Sequence, residues 1–163
     1  MKKVSFSYTS FFVLLISYLL LSVSCTRTGV FEKNIAIPKH SWSSDFKPVI
    51  TFEITDTTTP CNIYIVVRHT DAYRYKNIWV NVQTQAPTGV VRNQPLELKL
   101  ASDGNGWLGS GMDDIFEHRV MITPPNDPRP LSAGKYTFTL TNIMREDPLE
   151  HIMNIGIRVE AAK

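Results

Sequence analysis

From Ile50 onward the apolar side chains recur at every second position, a period that suits an extended backbone with one buried face and rules out helix over most of the chain. Ile50, Phe52 and Ile54 alternate with Thr51, Glu53 and Thr55; Ile63, Ile65 and Val67 with Asn62, Tyr64 and Val66; Ile78, Val80 and Val82 with Trp79, Asn81 and Gln83. Leu96, Leu98 and Leu100 continue the series, then Phe116, His118, Val120 and Ile122, then Tyr136, Phe138 and Leu140, then Ile155, Ile157 and Val159. Their β-branched and aromatic content agrees with the period.

The gaps between these runs carry turn residues: Asp56 to Pro60, Ala86-Pro87-Thr88-Gly89, Asp103-Gly104-Asn105-Gly106, the proline-rich Thr123 to Pro130, and Ala133-Gly134. One helical turn is expected near the C-terminus, at Asp147-Pro148-Leu149-Glu150, where Asp147 can cap, Pro148 suits the first helical position and Glu150 completes a capping box. Many short strands with almost no helix predict an all-β fold, an antiparallel β-sandwich of about seven or eight strands, with an open barrel as the alternative.

The N-terminus obeys different rules. Met1-Lys2-Lys3, an apolar run from Phe11 to Leu21, and Leu21-Ser22-Val23-Ser24-Cys25 make a secretory signal of the lipoprotein kind over residues 1–24. Ser22 stands where the best-known lipoproteins carry Leu, and an ordinary cleaved signal peptide is the alternative. Cys25 is the expected lipidation site: its thiol takes a diacylglycerol and its freed amine often a further palmitate-type acyl chain. At about 0.8 kcal/mol per buried methylene, two or three chains anchor durably where one does not. Residues 25–39 then form a lipidated tether and residues 40–163 the β-sandwich domain, with Phe31, Ile35 and Ile37 able to lay the distal half of the tether against it.

The net charge of +2 misleads, because Lys2 and Lys3 lie in the signal and no acidic residue does. The remainder is close to neutral, so neither a nucleic-acid partner nor an anionic surface is expected. With Cys25 acylated, Cys61 has no intrachain partner, and its place at the head of an apolar run fits a buried thiol better than a reactive one.

Five stretches together resemble a known family: Tyr73-Arg74-Tyr75-Lys76-Asn77-Ile78-Trp79, Gly106-Trp107-Leu108-Gly109-Ser110-Gly111, Gly134-Lys135-Tyr136-Thr137-Phe138, Met144-Arg145-Glu146-Asp147-Pro148-Leu149 and Ile155-Gly156-Ile157-Arg158-Val159. In order and spacing, from about Phe31 to Val159, they resemble the gliding-motility lipoproteins called GldH. The resemblance implies a component of the bacterial cell envelope, associated with surface gliding and its dedicated secretion machinery, with no known catalytic residues. Cys61 and the Pro124 to Pro130 loop are not features of that family and inherit no role from it.

No stretch supports catalysis. Gly104-Asn105-Gly106-Trp107-Leu108-Gly109 has dinucleotide-binding spacing but no βαβ unit around it, so its glycines are expected to serve a tight connection. Asp113, Asp114, Glu117 and His118 form the densest ionisable cluster and are expected in a solvated turn; His40, His69, His118 and His151 lack zinc spacing; Ser110 lacks a nucleophile elbow. No metal or other cofactor is expected.

Tyr73, Tyr75 and Trp79 with Arg74, expected at a strand edge, and Arg145 in the Met-Arg-x-Asp motif are candidate partner-binding residues, since aromatics and arginine dominate interface hot spots. Packing on the less buried sheet face is the plainer reading of the aromatics. For Arg145 and Arg158 the plainer reading is a local ion-pair network with Glu146, Asp147 and Glu150. A lipid-tethered carbohydrate-binding module is the alternative function. Thr26-Arg27-Thr28-Gly29 has neither the acidic cluster of surface export nor an Asp after the cysteine, which predicts outer-membrane attachment with the domain facing the periplasm.

Overall fold

The computed structural model describes residues 30–162 except 125 and 127; the signal over residues 1–24 and Cys25 lie outside the described residues. The strands are β1 (Val30–Ala36), β2 (Ser41–Trp42), β3 (Val49–Ile54), β4 (Pro60–Thr70), β5 (Asn77–Gln85), β6 (Val91–Lys99), β7 (Ala101–Ser102), β8 (Gly106–Trp107), β9 (Ser110–Met112), β10 (Ile115–Met121), β11 (Arg129–Pro130), β12 (Gly134–Asn142), β13 (Leu149–Glu150) and β14 (Ile152–Ala161). The seven alternating segments of the sequence correspond to β3, β4, β5, β6, β10, β12 and β14.

These strands build two large antiparallel sheets, with β2–β13 and β7–β8 as two-stranded ribbons beside them. One runs β1-β14-β4-β10-β9, with β11 also paired to β4; the other runs β3-β12-β5-β6. The alternating side chains of both converge on one core that includes Ile50, Ile65, Ile78, Phe138, Leu140 and Ile157, so the fold is an all-β sandwich. Rings bridge the layers: Phe31 of β1 lies 5.1 Å from Phe52 of β3.

Register gives the sandwich two distinct ends. Val30 pairs with Glu160, Cys61 with Ala161, and Gly134 with Ile54, which places the first described residue and the last residues of β14 at one end, here the near end. The β4–β5 loop, from Asp71 to Lys76, and the β12–β13 loop, from Ile143 to Pro148, lie at the far end, because Thr70 and Asn142 close the opposite ends of the same strands. Ten residues of β14 put roughly 33 Å between the two.

Three expectations are corrected. The sheet begins at Val30 rather than at residue 40: β1, placed in the tether, pairs with β14 over seven residues. Its alternation is broken by the exposed Lys33, a residue that suits an edge strand. The helical turn at residues 147–150 does not form, and the 3-10 turn lies instead at Pro38–His40. Leu149 and Glu150 pair with Trp42 and Ser41, and Asp147 accepts the Ser44 N–H at 2.9 Å and the Ser44 hydroxyl, so long-range partners take the groups a local cap would use. The strand carrying Trp79, β5, is internal to its sheet, and Tyr73 and Tyr75 belong to the loop before it.

Candidate functional site

The far end brings together the residues that the sequence proposed from two distant stretches. In the β4–β5 loop Tyr73 is buried, and its hydroxyl donates to the Asn77 carbonyl at 2.8 Å. Burial, with Tyr75 and Glu146 nearby, holds that hydroxyl well above its ordinary pKa, so Tyr73 serves as a floor rather than a contact surface. The Tyr75 ring meets it edge-on, centroids 5.7 Å apart.

Tyr75 and Arg74 then reach the β12–β13 loop. The Tyr75 hydroxyl donates to Glu146 Oε2 at 2.7 Å and Arg74 Nη2 donates to Glu146 Oε1 at 2.7 Å, so one carboxylate ties the loops together. The Arg145 guanidinium stands over the Tyr75 ring, 5.5 Å from its centroid, in cation–π geometry. The expected network around Arg145 and Arg158 is therefore replaced: Glu146 binds Arg74, Arg158 binds Glu32 and Glu160, and Glu150 accepts from the Ser41 hydroxyl.

Asn142 holds this arrangement, and sequence reasoning missed it. Buried at the end of β12, its amide donates to the Trp42 carbonyl at 3.0 Å and the Glu146 carbonyl at 3.4 Å, and its Oδ1 accepts the Met144 N–H at 2.9 Å. Its parity with Leu140 and Phe138 was the available clue, since a polar residue in an inward position needs partners. Met144 and Ile143 in turn meet the backbone of Trp79, whose side chain remains 39% exposed. The resulting surface offers two guanidiniums, Tyr75, Trp79 and Ile143 around the Glu146 carboxylate, a composition suited to docking.

The densest ionisable cluster of the sequence comes apart in the fold. Asp113 and Asp114 are exposed in a turn, Glu117 points outward to Arg68 and Arg119, and His118 points inward, which separates the cluster seen in sequence. Among the described residues no group of three or more His, Cys, Asp or Glu is placed to hold a metal ion. The structure does join two histidines that the sequence left scattered: His69 and His118 meet inside the core, with Trp107, Tyr73 and Phe116 around His69. Gly104 and Gly106 take positive φ in the β7–β8 hairpin, the tight connection their spacing suggested.

Cys61 lies half-buried at the near end beside a cleft of about 550 Å³ lined by Phe31, Phe52, Ile54 and Val159. Its thiol donates to the Thr59 carbonyl at 3.4 Å, and burial, then the charge of Asp56, raises its pKa, which disfavours the reactive thiolate.

The family model described as GldH lipoprotein matches residues 29–159. A gliding motility lipoprotein GldH homolog of Christiangramia forsetii is 27% identical over 160 residues, covering 93% of this chain and 94% of that protein. Gliding motility lipoprotein GldH of Flavobacterium johnsoniae is 27% identical over 157 residues, covering 91% and 94%. Among solved structures, a carbohydrate-binding module specific for non-crystalline cellulose aligns with 80% of this chain and 70% of its own at 9% identity and a TM-score of 0.40.

Proposed function

The chain belongs to the GldH lipoprotein family, and from that premise we propose that it is a noncatalytic, lipid-anchored envelope component that supports gliding motility. Its part is the assembly or stability of the gliding motor and the associated secretion machinery, and its partner is a protein component of that machinery. Cys25 carries the lipid, the outer membrane is the site of attachment, and the domain faces the periplasm. The names of the two relatives support the motility reading.

One observation carries the docking role: Glu146 joins Arg74 to Tyr75, and Arg145 stands over Tyr75, at the end of the sandwich opposite Val30. A chain joined to the membrane through the residues before Val30 leaves that far end free to meet a partner. Arg74, Tyr75, Trp79 and Arg145 form the contact surface, and Tyr73 supports it from beneath.

Crosslinking in intact cells, followed by purification of the lipidated protein, tests the proposal. Motility or secretion proteins should be recovered with the wild type and lost with Arg145→Ala at unchanged melting temperature. Recovery of no such protein, or parallel loss of capture and stability, refutes the docking role. Protease added to intact cells should leave the domain uncut, and cleavage would refute the periplasmic orientation.

A further inference from the structure

The two sheets present opposite chemistries to solvent. Across the outer face of the six-stranded sheet, Glu160, Arg158, Glu32, Arg119, Glu117 and Arg68 form a continuous chain of ion pairs, with N–O separations of 2.6, 2.7, 3.6, 2.9 and 2.5 Å in that order. Such a ladder satisfies its own charges and is a common way to solvate a sheet face.

The outer face of the four-stranded sheet is built differently. Its two central strands point Thr137, Thr139 and Thr141 of β12 and Asn81 and Gln83 of β5 outward, opposite the buried Phe138, Leu140, Val80 and Val82. Register sets hydroxyl beside amide, Thr139 against Gln83 and Thr141 against Asn81, and Asn93 of β6 extends the first row. Thr51 of β3 continues the hydroxyls on the other side, its Oγ1 3.3 Å from that of Thr137. Outward charges on the four strands stand at the two ends and leave the middle uncharged: Glu53 and Lys135 at the near end, Glu97 and Lys99 on the β6 edge at the far end, where Glu97 lies opposite Trp79.

Hydroxyl and amide groups each donate and accept hydrogen bonds without carrying charge, so they match a neutral polyhydroxylated ligand and offer nothing to attract an acidic or basic one. Trp79 adds a half-exposed indole at the far end of the same face, against which the apolar C–H face of a pyranose can stack. From Trp79 to Gln85 the face runs about 20 Å along β5, long enough for several sugar rings. We infer that this face binds a neutral polysaccharide, laid along β5 and β12 with one ring on Trp79.

The test uses the full chain in a polyoxyethylene detergent, which carries no sugar headgroup, run through native gels containing hydroxyethyl cellulose, xyloglucan, glucomannan or laminarin, with alginate as the acidic comparison. At least one neutral polymer should retard the protein and alginate should not. Thr139→Asp with Gln83→Glu, at the centre of the face and away from Arg74 and Arg145, should weaken retardation at least tenfold at unchanged melting temperature. Gln83→Ala serves as a second variant with the same direction of effect. No retardation by any of the four neutral polymers, equal retardation by alginate, or binding indifferent to these substitutions would overturn the inference.

Discussion

His69 and His118 place their Nε2 atoms 2.9 Å apart inside the core. His69 Nδ1 lies 2.7 Å from the Thr70 carbonyl, which fixes it as the protonated nitrogen of that ring, so His118 Nε2 donates and His69 Nε2 accepts. A proton added to either ring would put a charge among Tyr73, Trp107 and Phe116. Burial lowers the pKa of both from the ordinary 6.5, that of His118 to about 4 with a further contribution from His69.

Stability should therefore depend on pH in a defined window. The unfolded chain takes up protons below pH 6.5 while the folded His118 resists until about pH 4, so the contribution is complete above 6.5 and is lost as pH falls through that interval. The loss should be about 3 kcal/mol. Denaturant midpoints between pH 7 and pH 4 would measure it, and His118→Gln should flatten the slope. A wild-type midpoint constant across the window would contradict the neutral pair.

Two glycines should resist substitution for reasons of space alone. A Cβ on Gly156 would lie 1.9 Å from Asn34 Oδ1 and 2.6 Å from the Lys33 carbonyl, and one on Gly109 would lie 2.3 Å from the Glu117 carbonyl and 2.8 Å from His118 Nδ1. The backbone contacts cannot be relieved by a rotamer change. Gly156→Ala and Gly109→Ala should each lower unfolding free energy by about 3 kcal/mol, whereas Gly89→Ala, with open space around it, should cost less and only through its positive φ.

Alternation made the central strands legible, because Ile63, Ile65 and Val67 lean on the core whatever else the chain does. The same parity would have turned His69 and Asn142 inward. What it could not reveal was which inward residues meet, since His69 finds His118 through β4–β10 pairing and Tyr75 finds Glu146 across 71 residues of sequence. The helical turn at Asp147-Pro148-Leu149-Glu150 was misread for a related reason. Its capping chemistry is local and worth about 1 kcal/mol, whereas burying Leu149 beside Trp42 is worth more.

Leu149→Ala measures that competition. Leu149 is fully buried and belongs to a strand pair with Trp42, so truncation should cost about 3 kcal/mol and loosen the β12–β13 loop with it. Proteolysis within residues 143–148 should accelerate in this variant. A cost below about 1 kcal/mol would mean that the β2–β13 pair does not anchor the loop.

The exposed far-end contacts should matter little to stability, which is what makes them informative about docking. Arg74 is 67% exposed, so its ion pair with Glu146 should contribute under about 1 kcal/mol. Arg145 over Tyr75 should contribute a similar amount, and Tyr75→Phe should cost about 1 kcal/mol for its hydrogen bond. Asn142→Ala, by contrast, should cost about 2–3 kcal/mol because it orphans buried groups. Thermal denaturation of the four variants beside a motility assay separates structure from docking. If Arg74→Ala and Arg145→Ala abolish motility while keeping the wild-type melting temperature, their side chains act outward on a partner. If they destabilise as much as Asn142→Ala, the cluster is a clasp between loops and the docking surface lies elsewhere.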